Sequence, residues 1–212
     1  AAAVEHVRTI DPRLAVTVVF AGPEDPSIPA LMPLTDVAVF NQYAYDLVPD
    51  GSCTLGGVDL PIPRATGPRS IGGMLDALVE AAGGRLVCIQ EFGQSTGWDD
   101  RARTLGPLAG LDTQRRVIEA LARELAARRE HFRTVSVWTL NDHTRDGMQW
   151  LVDALVIGGM PECFAEAFAE AFGPTGLVRS DAEATPKPAF EAFRAAVRRL
   201  RRGAETGAGT AP

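Results

Sequence analysis

The sequence predicts an α/β fold built on a parallel sheet. Four short runs of apolar and β-branched residues, typical of strands buried on both faces, alternate with segments of helical periodicity. Such alternation builds a parallel sheet through right-handed crossovers. A doubly wound sheet and a (β/α) barrel both fit this order. No Gly-x-Gly-x-x-Gly follows the first strand and no Gly-x-x-x-x-Gly-Lys is present, which disfavours nucleotide-binding folds.

The first half of the chain alternates short strands with breaks. An amphipathic helix opens the sequence, and Ala15–Phe20 is the first predicted strand, followed by a Gly- and Pro-rich loop with at most one short helix. Asp36–Tyr43 is the second strand, and it turns polar at its C-terminal end. Residues 44–69 hold many Gly and Pro residues, so we expect a long loop there.

The second half continues the alternation. Ser70 is placed to cap a helix with an apolar stripe, and Leu86–Glu91 is the third strand. A Gly-rich loop leads to a long helix that starts at Asp112 or Thr113, and Thr134–Leu140 is the fourth strand. Residues 141–202 hold a polar loop, an apolar segment, a helical segment and a last helix, and 203–212 are expected to be a disordered tail.

Composition narrows the function classes. A chain of 212 residues with 46% hydrophobic and 23% charged residues is ordinary for one globular domain. The net charge of −6, with Arg198–Arg202 as the dense basic stretch, disfavours a nucleic-acid partner. No apolar run reaches the roughly 18 residues of a membrane span. Three cysteines without Cys-x-x-Cys spacing exclude a disulfide framework and a cysteine zinc cage, but not a single bridge.

Polar and aromatic side chains follow three of the strands. Tyr43, Glu91 and Trp138 stand at or near strand ends, which meet at one edge of a parallel sheet. A carboxylate, a phenol that can orient it and a flat indole suit a sugar better than a phosphate, which would call for Lys or Arg. Each also has a plainer interpretation, because strand-end acids often cap loops and tryptophans on strands often lie in the core.

Four segments, in order, resemble the clan A retaining glycoside hydrolases. Gln90-Glu-Phe-Gly93 is similar to their nucleophile segment at the end of barrel strand seven, and Phe40-Asn-Gln-Tyr43 to strand six, whose Tyr bonds the nucleophile. Val137-Trp138 resembles strand eight, whose Trp forms the floor of the −1 sugar site. Gly176-Leu-Val and Thr185-Pro-Lys-Pro-Ala-Phe190 resemble the last turn and helix of these barrels. The pattern is similar to the family 2 β-galactosidase/β-glucuronidase-like domain and to family 5 cellulases and mannanases.

The resemblance implies a TIM-barrel fold and a retaining glycosidase. No cofactor is expected, and no cluster of His and carboxylate residues has metal-ligand spacing. It makes Glu91 the nucleophile, with Tyr43 beside it and Trp138 under the sugar. Asn41 and Asn141 are candidate substrate contacts, and Trp98 is a candidate for a further sugar subsite, although ordinary loop roles stay open for Trp98 and Asn141. Glu24 is a weak candidate for the acid/base residue.

The resemblance starts before strand five of a barrel, so residues 1–202 correspond to its C-terminal half. The acid/base Glu of this family ends strand four and would precede Ala1. Half a barrel leaves two strand edges unpaired, so we expect this chain to pair with an N-terminal half, to self-associate, or to be marginally stable. The localisation is not readable from these residues.

Two other functions fit the same residues. The chain could be a barrel piece that binds sugar through Trp98 and Trp138 without turnover, because its acid is missing. It could also be an unrelated α/β enzyme that uses Glu91 as a general base. The last interpretation would gain weight if Tyr43 and Trp138 lay far from Glu91.

Overall fold

A computed structural model of the chain describes residues 2–44, 70–98 and 109–207, with four short strand segments between residues 46 and 66. The chain divides into two compact units. The first unit comprises Ala1–Tyr43, Ser70–Phe92 and Glu124–Val137, and the second comprises Ala44–Arg69, Gly93–Arg123 and Trp138–Pro212.

Helices and strands alternate along most of the chain. The strands are β1 (Val19–Phe20), β2 (Ala38–Tyr43), β3 (Asp46–Pro49), β4 (Cys53–Leu55), β5 (Val58–Leu60), β6 (Pro63–Thr66), β7 (Val87–Gly93) and β8 (Phe132–Val137). The helices are α1 (Ala2–Ile10), α2 (Ile28–Leu31), α3 (Ile71–Ala81), α4 (Leu111–Ala127), α5 (Arg145–Ile157), α6 (Glu162–Phe172) and α7 (Pro188–Gly207).

A four-stranded sheet with the order β1-β2-β7-β8 forms the framework of the first unit. β1 pairs with β2 in parallel, with Phe20 opposite Phe40, and β7 pairs with β8 in parallel. Parallel strands connected through helices confirm the predicted (β/α) fold class of the TIM-barrel type.

The core of the first unit combines the buried face of the sheet with the apolar stripe of α3. Phe20, Phe40, Val87 and Ile89 are completely buried, and the rings of Phe20 and Phe40 lie 5.8 Å apart. The predicted cap of α3 is confirmed, because the Ser70 hydroxyl accepts a hydrogen bond from the amide of Gly73. The predicted apolar stripe of α3 faces this core, where Ile71, Met74, Leu75 and Leu78 are buried.

Strand boundaries differ from the prediction where side chains take over backbone hydrogen bonds. β1 covers only the last two residues of the predicted Ala15–Phe20 run. Upstream, the carboxylate of Asp36 accepts the amide of Val16, so a side chain replaces a ladder bond there. β8 ends at Val137 instead of Leu140, because the Leu140 carbonyl accepts the amides of Leu177 and Val178 from another segment.

Residues 44–69, predicted as a long loop, contain two antiparallel strand pairs, β3 with β6 and β4 with β5. Leu55 pairs with Val58, and the two residues between them in the sequence are glycines, the composition of a two-residue hairpin. The prediction was wrong because the strands are only three or four residues long, and because two of the Pro residues that suggested a loop, Pro49 and Pro63, lie within β3 and β6.

Helices dominate the second unit. The apolar segment after the fourth predicted strand is the helix α5, and α5 packs with α6 around Met148, Val152, Ala165 and Ala169. Within the predicted disordered tail, α7 continues to Gly207. The rest of that tail, residues 208–212, lies outside the described residues.

Three further features concern membrane-spanning helices, metal ligands and cysteines. No helix in the described ranges is long and apolar enough to cross a membrane. Within the same residues, no group of three or more His, Cys, Asp and Glu side chains is arranged to hold a metal ion. Cys163 is disulfide-bonded and Cys88 carries a free thiol, in agreement with the single bridge that the cysteine count allowed.

Acid is expected to loosen the turn after β1. The carboxylate of Asp25 accepts hydrogen bonds from Ser27 and from the amide of Ala21, and the Ser27 hydroxyl is the main reason that the pKa of Asp25 lies below its ordinary 3.8. Such a carboxyl contributes stability that is complete above its unfolded-state pKa and is lost as the pH falls through the folded-state value. In thermal denaturation below pH 3.8, we expect the melting temperature to fall, and to fall less for Asp25→Asn. Equal falls would contradict this role.

Candidate active site

Tyr43 and Glu91 meet at the C-terminal ends of neighbouring strands. The Tyr43 hydroxyl donates a 2.8 Å hydrogen bond to Oε2 of Glu91, although the two residues are 48 positions apart. Both side chains are half-buried. The bond fixes the orientation of the carboxylate, while Oε1 of Glu91 has no hydrogen-bond partner within the described part of the chain. One oxygen of Glu91 is therefore held by Tyr43, and the other has no partner among the described residues.

An irregularity in β7 brings Glu91 out of the core. Alternation along a strand would place Glu91 on the same face as Val87 and Ile89, which are completely buried. The register between β7 and β8 shifts between Ile89 and Phe92, and Phe92 is buried again. Gln90 and Glu91 therefore lie together between two buried positions, and Glu91 can turn toward Tyr43. Bulges of this kind re-aim side chains beside active sites.

Asn41 adds a polar group on the face of β2 that carries Tyr43. The two residues are two positions apart on one strand, so their side chains project to the same side. Oδ1 of Asn41 is buried and accepts no hydrogen bond from the described residues. An orphaned buried acceptor is costly, and a hydroxyl group of a bound ligand is one donor that would satisfy it.

Aromatic side chains cluster in the second unit. Trp138 directly follows β8, its bond to Thr139 is a cis peptide, and 39% of its surface is exposed, so it is not a core residue. Its ring centroid lies 6.3 Å from that of His143. Nε1 of Trp98 donates to the carbonyl of His143 over 2.9 Å, and the guanidinium of Arg145 lies 5.2 Å from the Trp98 ring centroid. We call Trp98, Trp138 and His143 the aromatic cluster.

A buried ion pair lies next to this cluster in the chain, because Asp142 directly precedes His143. Nζ of Lys187 lies 2.6 Å from Oδ1 of Asp142, and the two side chains are 1% and 10% exposed. Burial raises the pKa of Asp142, although Lys187 acts in the opposite direction. Asn141, next to Asp142, is exposed and forms an isolated bridge with Val178. Asn141 therefore has a backbone role here, and its side chain is accessible.

The predicted site residues fall into two sets, one in each unit. Glu91, Tyr43 and Asn41 come together in the first unit. Trp98, Trp138 and Asn141 belong to the second. The burial of Lys187 was not predicted, because its Pro-Lys-Pro context is typical of the exposed start of a helix.

Comparison of the sequence with known proteins identifies no relative. No protein-family model matches the chain, and no curated protein matches it.

Comparison of the structure identifies glycoside hydrolases. The fold is similar to an FMN-binding β-glucuronidase from Faecalibacterium prausnitzii L2-6, with a TM-score of 0.53, 17% identity and coverage of 91% of this chain and 25% of that chain. A β-glucuronidase from Ruminococcus gnavus is similar with a TM-score of 0.51 and 15% identity, and the match covers 92% of this chain and 28% of that chain. A family 17 β-1,3-glucanosyltransferase from Rhizomucor miehei is similar with a TM-score of 0.51 and 15% identity, and the match covers 89% of this chain and 55% of that chain.

These similarities define the fold. The four parallel strands and their helices match part of a glycoside hydrolase TIM barrel. The chain spans about a quarter of the length of the β-glucuronidases and about half of the glucanosyltransferase. At 13–17% identity, the match concerns the backbone rather than the residues of a site.

Proposed function

We propose that the chain carries the nucleophile half of a retaining glycosidase acting on β-linked sugars, with Glu91 as the nucleophile. The observation that carries this proposal is the 2.8 Å hydrogen bond from the Tyr43 hydroxyl to the Glu91 carboxylate at the strand ends. A carboxylate that is oriented at one oxygen, with no described partner at the other, and that stands at the carboxyl edge of a barrel-type sheet suits covalent catalysis.

The reaction follows a double displacement. An oxygen of Glu91 attacks the anomeric carbon, the bond from that carbon to the leaving oxygen breaks, and a second carboxyl group protonates the leaving oxygen. A water oxygen then attacks the same carbon, the ester bond to Glu91 breaks, and the second carboxylate takes the proton of the water. The product keeps the anomeric configuration of the substrate.

The second carboxyl group must lie about 5–5.5 Å from the nucleophile in a retaining enzyme. We assign it to a part of the barrel outside these residues, in keeping with the coverage of about a quarter of the β-glucuronidases. A 4-nitrophenyl glycoside carries a leaving group that needs little protonation. Such substrates therefore probe Glu91 even when the acid is absent.

Trapping of the glycosyl-enzyme tests the proposal. The protein is incubated with activated 2-deoxy-2-fluoro β-glycosides of glucose, galactose, mannose and glucuronic acid, and peptides are analysed by mass spectrometry. We expect one sugar to label the peptide that contains Glu91 through an ester. Binding of sugars without labelling or release of nitrophenol would support the alternative of a sugar-binding barrel piece. Labelling elsewhere, or no interaction with any sugar, would overturn the proposal.

The aromatic cluster and the two asparagines complete the proposal as substrate contacts. Trp138 would stack on the C–H face of the sugar, which suits an indole that is 39% exposed. Asn41 would accept a hydrogen bond from a sugar hydroxyl through its orphaned Oδ1. Trp98 and Asn141 would contact a neighbouring sugar. The order of the motifs along the sequence supports these roles.

Tyr43→Phe should lower kcat for 4-nitrophenyl glycosides by roughly 10- to 100-fold, because hydrogen bonds to charged groups contribute about 1.5–3 kcal/mol. The variant removes the donor that orients Glu91 and keeps the ring. Steady-state kinetics measures the effect, and circular dichroism checks the fold. Phe132→Leu, a partly exposed position on β8, is the control. An unchanged kcat for Tyr43→Phe would contradict the orienting role.

The edges of the sheet suggest a partner. In the described sheet β1 and β8 are the edge strands, whereas a closed barrel has no edges. We propose that further barrel strands, from the rest of the barrel or from a second copy, pair with these edges. Sedimentation of the 212-residue chain alone should then reveal association. If the chain does not associate, its thermal denaturation should not be cooperative. A monodisperse monomer that melts cooperatively would contradict this proposal.

A further inference from the structure

Lys187 has an environment unlike that of any ordinary surface lysine. It is the only lysine of a chain with 21 basic residues, and its side chain is 1% exposed. Nζ donates to Oδ1 of Asp142 over 2.6 Å, to Oγ1 of Thr96 over 3.0 Å and to the carbonyl of Pro174 over 3.3 Å. An ammonium group has three donors on a flexible stem. Three acceptors match its three N–H groups, which a planar guanidinium would not do.

The three acceptors belong to three different segments of the second unit. Thr96 lies in the segment after β7, Asp142 lies in the segment before α5, and Pro174 lies in the turn after α6. Backbone bonds reinforce the junction, since the amide of Thr96 also donates to the carbonyl of Pro174. Lys187 therefore joins chain segments that are 91, 45 and 13 positions away from it.

The same three segments surround the indole of Trp98. Trp98 follows Thr96 by two residues, and its Nε1 donates to the carbonyl of His143, the residue after Asp142. A Cβ atom built on Gly173, next to Pro174, would lie 2.4 Å from Cζ2 of Trp98, so the indole rests directly on that turn. Each of the three segments that Lys187 joins therefore either contains Trp98 or contacts its indole.

Stability alone does not account for such a residue. A buried ion pair is often no more stabilising than apolar side chains of similar volume, because desolvation of two charges offsets their attraction. The hydrogen bonds of Lys187 do fix geometry, because each N–H of the ammonium group holds one acceptor in place. Two members of the aromatic cluster lie next to these acceptors in the chain, since Trp98 follows Thr96 by two positions and His143 follows Asp142 directly.

We propose that Lys187 is a positioning residue that, through Asp142 and Thr96, holds Trp98 and His143 in place as part of a carbohydrate-binding surface. The positioning rests on the contacts above, and the identification of the ligand as a sugar rests on the proposed function. A surface held in place before binding does not have to be ordered by the ligand, which favours affinity.

Fluorine NMR of protein labelled with 5-fluorotryptophan separates positioning from general stability. The chain has three tryptophans, and Trp150, 66% exposed on α5, is an internal reference. Trp→Phe variants assign the three resonances. In Asp142→Asn we expect the resonance of Trp98 to shift or broaden and that of Trp150 to stay unchanged. Asp153→Asn, an exposed position on α5 that accepts a hydrogen bond from Gln149, is the matched control and should move neither.

A second variant keeps the test decisive if Asp142→Asn does not fold. Thr96→Val removes an acceptor of Lys187 while it keeps the volume, and it should displace the Trp98 resonance as well. Unchanged Trp98 resonances in the folded variants, or equal changes at all three tryptophans, would overturn the positioning role.

Titration with a sugar distinguishes this inference from the proposed function. The probe is the methyl β-glycoside, which has a poor leaving group, of the sugar whose 2-fluoro derivative labels the protein or, if none does, a β-1,3-linked glucose trisaccharide. We expect the wild-type Trp98 resonance to shift on titration, and the affinity of Asp142→Asn to be about two- to tenfold lower. If the Trp98 resonance shifts in Asp142→Asn but neither protein binds the sugar, the positioning role is supported and the assignment of a carbohydrate ligand is overturned. Equal affinities of wild type and variant would overturn the contribution of the Lys187–Asp142 pair to binding.

Discussion

Replacement of Glu91 with alanine should lower the rate of 4-nitrophenyl glycoside hydrolysis by on the order of 10⁴-fold or more, the scale of loss when an enzymatic nucleophile is removed. The carboxylate oxygen that forms the covalent bond is then missing, and the Tyr43 hydroxyl loses its acceptor. Glu91 is half-buried and lies outside the apolar core, so we expect the fold to survive. Glu80→Ala, an exposed position on α3, should leave the rate unchanged.

Azide makes this experiment diagnostic of a nucleophile. In Glu91→Ala the space of the carboxylate can hold a small anion, whose nitrogen attacks the anomeric carbon while nitrophenolate leaves. The expected product is a glycosyl azide with the opposite anomeric configuration to the substrate. A general base would act on water instead of carbon, so loss of activity without glycosyl azide would favour the alternative of an unrelated α/β enzyme. Full activity of Glu91→Ala would contradict any catalytic role.

The pairing of Tyr43 with Glu91 could be predicted because it depends on two simple regularities. Buried parallel strands show as short apolar runs, and their C-terminal ends meet at one edge of the sheet. Residues 48 positions apart in the sequence therefore lie in contact. The orientation of Glu91 could not be predicted, since it depends on the register shift between β7 and β8, which no pattern within Leu86–Glu91 indicates.

Other features were missed because they arise from contacts between distant segments. The burial of Lys187 depends on acceptors at Thr96, Asp142 and Pro174, and each of these residues alone is ordinary for a loop. Gly176 is a similar case. A Cβ atom built there would lie 2.2 Å from the amide nitrogen of Asp142, so this glycine permits a close approach that composition does not reveal.

Lys187→Met should destabilise the protein by about 3–5 kcal/mol, the usual cost when one partner of a buried ion pair is removed. Asp142 then remains a carboxylate that is 10% exposed and has lost its ammonium partner, with the backbone bond from Gly176 and the charge of Arg179 left to stabilise it. Thr96 and Pro174 each lose a donor. Chemical denaturation at neutral pH measures the change. Arg194→Met is the control, because its ion pair with Glu191 is exposed and such pairs contribute about 0–1 kcal/mol.

A third variant separates the lost cation from the stranded anion. Lys187→Met/Asp142→Leu removes both charges and fills the site with apolar atoms, so it should recover a large part of the loss. If the double variant were as unstable as Lys187→Met, the three-way hydrogen bonding of the ammonium group, rather than charge compensation, would be what stabilises the site.

The pH dependence of Lys187→Met gives an independent check. Burial already raises the pKa of Asp142, and Lys187 opposes that rise, so removal of Lys187 should raise this pKa further. A carboxyl with a raised folded-state pKa binds its proton more readily in the folded protein, and the folded state loses stability as the pH rises from the unfolded-state pKa through the folded-state one. The deficit of Lys187→Met relative to wild type should therefore be largest at neutral pH and smaller near about pH 4, where Asp142 takes up a proton. A deficit independent of pH, or one no larger than that of Arg194→Met, would show that the stranded charge of Asp142 is not the cause.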